Sequence, residues 1–404
     1  MTITNNNNSN HGSSKKQLTL CDLTYAYSRG GGITTYIDAK GQYFFRHDIR
    51  QIIITPRQDN KDGIIKEDHG KRVIYRLPSR IVMVDSLKYY FFRSYDDIEK
   101  IIKEEKPNIL EIGDSFSTFF YGRRLKKLVS SQGGRVVVFV HERLDNFYRQ
   151  VFHVTGGWLL TRPFRQITAA FLTALLRRRF LATADAVIAN SDFSAEEAKR
   201  HSSKPVYVLA LGIQVDPYLH AQRDDKLYQQ LSDGGKRRVI IHVGRLEQDK
   251  KIDLLIDFAR GLDAKRYSLI IIGDGKFKKT LELFPAVKAI GYLQHDNIIP
   301  YLASADLGIL VNDIEPFGLV GLEMMATGLP LLAPNRGGLS SFITPDFAWL
   351  LPYRAEKYLK ALAEWSALSQ SKQQALRLAA RHEAENYTTD RMGQRLMAIY
   401  HKII

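Results

Sequence analysis

The sequence is poor in the features that mark several large classes of protein. It holds one cysteine, Cys21, in 404 residues, which excludes an internal disulfide and suits a reducing compartment. No apolar run approaches the roughly 18 residues that cross a bilayer, so no transmembrane helix is expected. The opening MTITNNNNSNHGSSKK has no apolar core of the signal-peptide kind, and residues 1–16 read as a disordered polar tail. Zinc-module spacing, an RNA-binding sheet motif and a basic coiled coil are all missing, which argues against nucleic acid as a partner. No strict Asp-x-Asp pair occurs. A metal site built on such a pair is therefore not expected, nor any other cofactor. The expected setting is the cytoplasm.

What is present is an ordinary globular composition, 45% hydrophobic and 25% charged, on a chain long enough for two domains. The net charge of +15 is uneven: residues 1–215 carry +12 and residues 216–404 only +3. A basic first half suits an anionic partner, such as a membrane surface or an acidic substrate; solubility alone is the plainer alternative.

Short apolar runs recur through the chain. QLTLCDLTY (17–25), RQIIITP (50–56), RVIYRLP (72–78), NILEIGD (108–114), RVVVFVHE (135–142) and DAVIANS (185–191) read as buried strands, with helices such as 94–105 and 117–129 between them. RRVIIHVGR (237–245), YSLIIIGDG (267–275), AVKAIGYL (286–293), ADLGILVN (305–312) and LPLLAP (329–334) form a second set. Strands alternating with helices predict parallel sheets covered on both faces, an α/β class with two doubly wound domains. A Gly and a Pro interrupt the pattern in LGIQVDPY (211–218), which sets the expected boundary: 17–213, then 214–386. Ligands of such sheets bind at the carboxyl ends of the strands, so two facing domains put the site in the cleft.

Four stretches carry chemistry. In HVGRLEQDKKIDLLIDFA (242–259), Arg245 leaves a strand and Lys250 sits where the next helix begins. A planar bidentate cation beside a point cation suits a diphosphate, although solvated surface charges would look the same. In DIEPFGLVGLEMMATGLP (313–330), Glu315 and Glu323 stand eight positions apart. Pro316 permits a helix start there, and the amides of Phe317, Gly318 and Leu319 would be free to meet an anion or a hydroxyl. Glu315 on the loop is placed to accept from a sugar and Glu323 inside the helix from a ribose diol, dipole compensation and a plain surface acid being the alternatives. The third stretch is YSRGGGITTYI (27–37), where Gly31 and Gly32 precede a helix opening at Ile33 and could admit a phosphate; a flexible turn is the commoner explanation. Lastly, WLLTRPFRQITAAFLTALLRRRFL (158–181) is an arginine-rich amphipathic pattern that fits either an anionic bilayer or the face of the first sheet.

These residues together resemble the family-4 retaining, nucleotide-sugar-dependent glycosyltransferases of GT-B fold. Glu315 and Glu323 around Pro-Phe-Gly are similar to the family's E-x7-E motif, Arg245 and Lys250 to its diphosphate pair, and IIIGDGK (270–276), GLPLLAPNRGGL (328–339) and the glycine loop match further. Lys251 stands where the family usually has glycine, a departure that touches the turn rather than the chemistry. LEIGDSF and HERLD loosely resemble bacterial α-mannosyltransferases that build glycolipids.

The resemblance implies a fold and a reaction. Two facing Rossmann-like domains would flank a deep cleft, with the acceptor on the first, the nucleotide sugar on the second, and a last helix, 387–404, crossing back. His141, at a strand end in VVVFVHERLDNF (136–147), would face the transferred sugar, although a histidine so placed is more often structural. The donor and sugar would be held by Gly31, Gly32, Arg245, Lys250, Glu315, Phe317, Gly318, Leu319 and Glu323. His141, Arg245, Lys250 and Glu315 would serve the chemistry, which retains anomeric configuration. The expected donor is GDP-mannose, or UDP-glucose, and the acceptor a glycolipid or saccharide, reached from the inner face of the cytoplasmic membrane. A nucleotide-sugar epimerase, a phosphorylase and an inactive nucleotide-sugar binder are the rival readings on the same architecture.

Overall fold

A computed structural model describes residues 17–27, 31–59, 61–84, 87–114, 121–141, 175 and 178–404. The polar tail, the tip of the glycine loop (28–30), the HERLD residues after His141 and nearly all of the arginine-rich stretch 158–181 lie outside the described residues.

The first sheet is built from β1 (Thr19–Leu23), β2 (Arg50–Pro56), β3 (Ile65–His69), β4 (Arg72–Leu77), β7 (Ile109–Ile112), β8 (Arg135–Val140), β9 (Ala186–Ala189) and β10 (Val206–Val208). Its order is β10-β9-β8-β7-β1-β2-β4-β3, parallel except for β3. Runs such as RVVVFV make strands here because both faces are covered: Ile52, Ile53, Ile54, Val136, Val137 and Val138 are all fully buried.

The second sheet takes β11 (Arg238–Val243), β12 (Tyr267–Ile272), β13 (Val287–Gly291), β14 (Leu307–Ile309), β15 (Leu331–Pro334) and β16 (Ala348–Leu351), in the order β13-β12-β11-β14-β15-β16 and wholly parallel. Numbered within the sheet this is 3-2-1-4-5-6, the doubly wound order, with its switch point between β11 and β14. In the first sheet the switch point falls between β1 and β7.

Five strands lie outside the runs read from the sequence. β3 is IKEDH, a polar antiparallel edge strand exposed along most of its length, and β10 is only three residues long. The hairpin of β5 (Ser79–Val84) and β6 (Leu87–Phe92) forms a separate two-stranded sheet. β16, AWLL, is the sixth strand of its sheet, paired to β15 alone.

The two halves are stitched together by the end of the chain. The helix Thr389–Ile403 packs on the helix Gly32–Arg46 of the first half, with Gly393 against the Tyr43 ring. Arg46 pairs with Asp390, and Arg135 Nε donates to the Ile403 carbonyl at 3.2 Å. Beneath this contact Lys40 is buried between Asp22 and Glu111, and Glu111 accepts from the hydroxyls of Tyr36 and Tyr400. A buried lysine is tolerated because two carboxylates surround it, and Tyr400 brings the last helix into that network.

Candidate active site

Sheet order decides which loops meet. β11 and β14 are neighbours, so the loop after β11, with Arg245 and Lys250, lies beside the loop after β14, with Asn312 and Glu315. Lys250 Nζ stands 2.9 Å from Glu315 Oε2, and Asn312 Nδ2 donates to the same oxygen at 2.7 Å. Glu315 Oε1 accepts from no described residue. Burial alone would raise the Glu315 pKa, but Lys250, Asn312 and the nearby Arg245 outweigh it and hold the carboxyl below its ordinary value. Burial pulls on Lys250 in the opposite sense, and Glu315 overcomes it, so the ammonium persists. Arg245 does come to this place, but its guanidinium is half exposed and bonds Asp249 at 2.6 Å.

The helix that follows starts later than Pro316 suggests. It runs Leu319–Ala326, with Gly318 as N-cap at φ 95°. Glycine is required at Gly318, since a Cβ would stand 2.4 Å from Leu339 Cδ2 in a backbone region that L-residues avoid. Pro316 is spent otherwise: its carbonyl accepts from Ser191 Oγ at 2.5 Å, and Gly338, whose Cβ would overlap that carbonyl, closes in behind. The Phe317 side chain is core, its ring 4.9 Å from that of Phe342. The amides of Phe317, Gly318 and Leu319 donate to no acceptor among the described residues, which leaves three donors at the positive end of the helix dipole.

Glu323 lies one turn into that helix and is 4% exposed. Its carboxylate accepts no hydrogen bond from a described residue, and His295 Nε2 stands 3.7 Å from Oε1. The same nitrogen lies 2.8 Å from the hydroxyl of Tyr218, a linker residue. Burial pushes the Glu323 pKa up, only partly countered by His295. A buried acid lacking donors is a site for a ligand's hydroxyls.

The opposite wall comes from the first sheet. The first-half helix starts at Gly32 rather than Ile33, with Gly31 as its N-cap at φ 96°. A Cβ on Gly32 would lie 3.8 Å from Leu319 Cδ1, so the glycine loop faces the start of the second-half helix. His141 follows β8, stacked on Phe139 at 4.2 Å and edge-on to Tyr36 at 5.2 Å. Burial, and secondarily the Lys40 charge, bring its pKa down to about 3, so the ring is neutral near pH 7. Among the described residues no group of three or more His, Cys, Asp or Glu side chains is placed to hold a metal ion.

Sequence reasoning missed Asn312, Ser191, Tyr218, His295 and His242. Asn312 lies three positions before Glu315 and His242 three before Arg245, so both were within reach; Ser191, Tyr218 and His295 come to the site from distant parts of the chain. His242, buried at the end of β11, has its pKa lowered to about 4 by burial, and its Nε2 has no partner among the described residues.

Known proteins resemble this chain in sequence and in fold. Residues 30–217 match the family model described as Glycosyltransferase Family 4, and residues 224–383 match Glycosyl transferases group 1. A GDP-mannose-dependent alpha-(1-6)-phosphatidylinositol dimannoside mannosyltransferase of Mycobacterium tuberculosis is 25% identical over 385 residues, covering 92% of each chain. The sulfoquinovosyl transferase SQD2 of Arabidopsis thaliana is 34% identical over 139 residues, 33% of this chain and 27% of that one. In fold, the sucrose-phosphate synthase of Thermosynechococcus elongatus superposes with a TM-score of 0.73 at 17% identity, covering 96% of this chain and 99% of its own. The Anabaena protein HepE, solved with UDP-glucose, gives 0.68 at 18% identity, covering 96% and 100%. With two family models spanning both halves and a relative aligned along nearly its whole length, the chain belongs to the family-4 glycosyltransferases of GT-B fold, and it is a nucleotide-sugar-dependent glycosyltransferase.

Proposed function

We propose that the protein transfers mannose from GDP-mannose, with retention of configuration, to a lipid-linked acceptor. The observation that carries the transfer chemistry is the convergence of Lys250, Glu315 and the free amides around Gly318 at the switch point of the second sheet. As the glycosidic bond breaks, charge builds on the leaving diphosphate. Lys250, Arg245 and those amides stabilise it where water is excluded, while Glu315 Oε1 holds a sugar hydroxyl. Glu323 accepts from the ribose diol. His141, neutral and stacked, orients the sugar from the facing wall, and a diphosphate oxygen takes the acceptor proton. The cations come from the protein itself, and no metal takes part.

Mannose is preferred over glucose because the relative aligned along 92% of this chain is named as a GDP-mannose-dependent enzyme, and two further relatives, of Corynebacterium glutamicum and Mycolicibacterium smegmatis, carry the same donor in their names. A lipid-linked acceptor is favoured by the +12 of residues 1–215 and by the phosphatidylinositol dimannoside in that relative's name. No described helix is long and apolar enough to cross a membrane, so the protein would reach such an acceptor by charge, each basic residue near an anionic leaflet contributing about 1 kcal/mol.

The test is a donor panel, GDP-mannose against UDP-glucose and ADP-glucose, with thermal stabilisation and donor hydrolysis as readouts and NMR of the product's anomeric proton for stereochemistry. UDP-glucose turning over faster than GDP-mannose would reassign the donor. Donor isomerisation without transfer would favour an epimerase, and binding without turnover an inactive binder. Sedimentation with anionic and neutral vesicles at low and high salt tests the membrane; if neither pellets protein, a soluble saccharide is the better acceptor.

A further inference from the structure

The second sheet has another open end, where its strands begin. A cavity of about 770 Å³ lies there, bounded by the start of β11, the residues before β14 and β15, the helices Ala355–Ser366 and Gln370–Ala384, and the linker after Leu219. Four arginines line it, Arg223, Arg238, Arg377 and Arg381, against one carboxylate, Asp306. It is at the opposite end of the strands from Lys250 and Glu315.

The single acid is fully engaged. Asp306 accepts from Arg223 at 2.7 Å, from the Tyr228 hydroxyl at 3.2 Å and from the Val239 amide at 2.9 Å. The other three arginines pair with no carboxylate among the described residues. Arg238 gives one bond to Gln373 Oε1 at 3.0 Å and lies over the Trp365 ring. Arg377 donates to the carbonyls of Ala305 (2.7 Å), Gly328 (3.4 Å) and Asp306 (3.5 Å), Arg381 donates to that of Thr327 (3.3 Å), and Arg381 Nε meets no acceptor among the described residues. Trp365, 1% exposed, also lines the cavity, and its indole N–H is without a partner.

A guanidinium carries five N–H donors, and the one bond of Arg238, the three of Arg377 and the one of Arg381 leave donors over in each. Burial above all holds Arg377 below the usual arginine range; Asp306 opposes this, and the Arg223 and Arg381 cations add to it. Donors without acceptors and cations without counterions are complementary to one kind of ligand, a compact anion with several oxygens.

We propose that this cavity is a second ligand site, separate from the donor cleft, that binds a small phosphomonoester or phosphate through Arg238, Arg377 and Arg381. The site is absent from the reaction described above and is independent of the sugar and acceptor assigned there.

The test is calorimetric titration of inorganic phosphate into the full chain already saturated with GDP, and in a separate run with UDP, so that the donor cleft is filled. Saturable phosphate binding is expected to persist under nucleotide and to weaken at least tenfold in Arg377→Gln with Arg381→Gln. Those two arginines also hold carbonyls at the end of the Leu319–Ala326 helix, so the exposed Arg238→Glu is the second variant; it should melt as the parent does and show the same loss. Phosphate binding that vanishes under nucleotide, or that neither variant alters, overturns the proposal. A hexose 6-phosphate and phosphatidylglycerol vesicles are run in parallel. Hexose 6-phosphate binding with the same dependence on arginine supports a soluble phosphomonoester. Vesicle binding that needs the arginines, with no binding of either soluble phosphate, overturns it in favour of a lipid surface.

Discussion

Lys250 Nζ and Glu315 Oε2, 65 positions apart in sequence, are 2.9 Å apart in the folded chain. The pair joins the loops after β11 and β14 across the switch point of the second sheet. It also sets the resting state of the site: the cation for the diphosphate and the carboxylate for the sugar hold one another in place. A substrate entering there exchanges partners with a preorganised pair rather than ordering two free side chains, which lowers the entropic cost of binding.

Lys250→Ala and Arg245→Ala are both expected to slow transfer with the fold intact. Losing a charge-assisted contact made mainly in the transition state costs roughly 2–4 kcal/mol, about 30- to 1000-fold in rate. Lys250→Ala should be the more severe, because it also strips the half-buried Glu315 of its counter-charge, whereas Arg245 is half exposed and already bonded to Asp249. Steady-state kinetics with purified variants decide; near-parental turnover in Lys250→Ala removes the pair from the mechanism.

Glu323→Gln should weaken free nucleotide binding more than it slows turnover at saturating donor, and Glu315→Gln the reverse. Their effects on stability should differ too. Glu323 has a folded pKa raised by burial, so the native state holds its proton more tightly than the unfolded chain does. Its favourable contribution exists below the unfolded value and is lost as pH rises through the folded one. Glu323→Gln should therefore raise the melting temperature near pH 7, with the gain shrinking toward pH 4. Identical kinetic profiles for the two variants would end the proposed division of labour.

His141 has the opposite sign of linkage. Its folded pKa of about 3 lies below the ordinary 6.5, so the unfolded chain takes up the proton first. Stability from the neutral ring is complete above about pH 6.5 and falls as the pH drops toward 3. His141→Asn is expected to flatten that part of the stability profile while reducing transfer. A titration of the His141 ring by NMR near pH 6.5 would contradict the burial argument.

Lys251 sits at φ 58°. A left-handed conformation costs an L-residue roughly 1–2 kcal/mol, and more if the side chain is β-branched. Lys251→Gly should stay within about 1 kcal/mol of the parent, since the glycine also gives up chain entropy and the lysine's contact 5.5 Å above the Tyr353 ring. Lys251→Val should lose more stability than Lys251→Gly, and denaturant melts will rank them; turnover is expected to change little in either.

Transfer should continue in the presence of a metal chelator, with Lys250, Arg245 and the amides near Gly318 neutralising the diphosphate. Complete loss on chelation, restored by magnesium or manganese, would show that these groups are not enough.

The class of fold follows from the sequence alone. Runs such as RVVVFV and YSLIIIG cannot leave either face in water, so parallel sheets under helices follow from hydrophobicity and period alone. The two glutamates, the Arg245 and Lys250 pair and the glycines were legible because they are local: each works through a strand end, a cap or a helix start within a few residues. Which of them meet, and in what state, depends on the folded chain. β11 and β14 lie side by side although β12 and β13 intervene, and that adjacency alone places Lys250 on Glu315. It also determined that Glu323 is buried beside His295 and Tyr218, and that Tyr400, close to the last residue, donates to Glu111 in the first sheet. Strand order, burial and the meeting of distant side chains arise from packing the whole chain at once, and a short stretch of sequence carries no local signal for them.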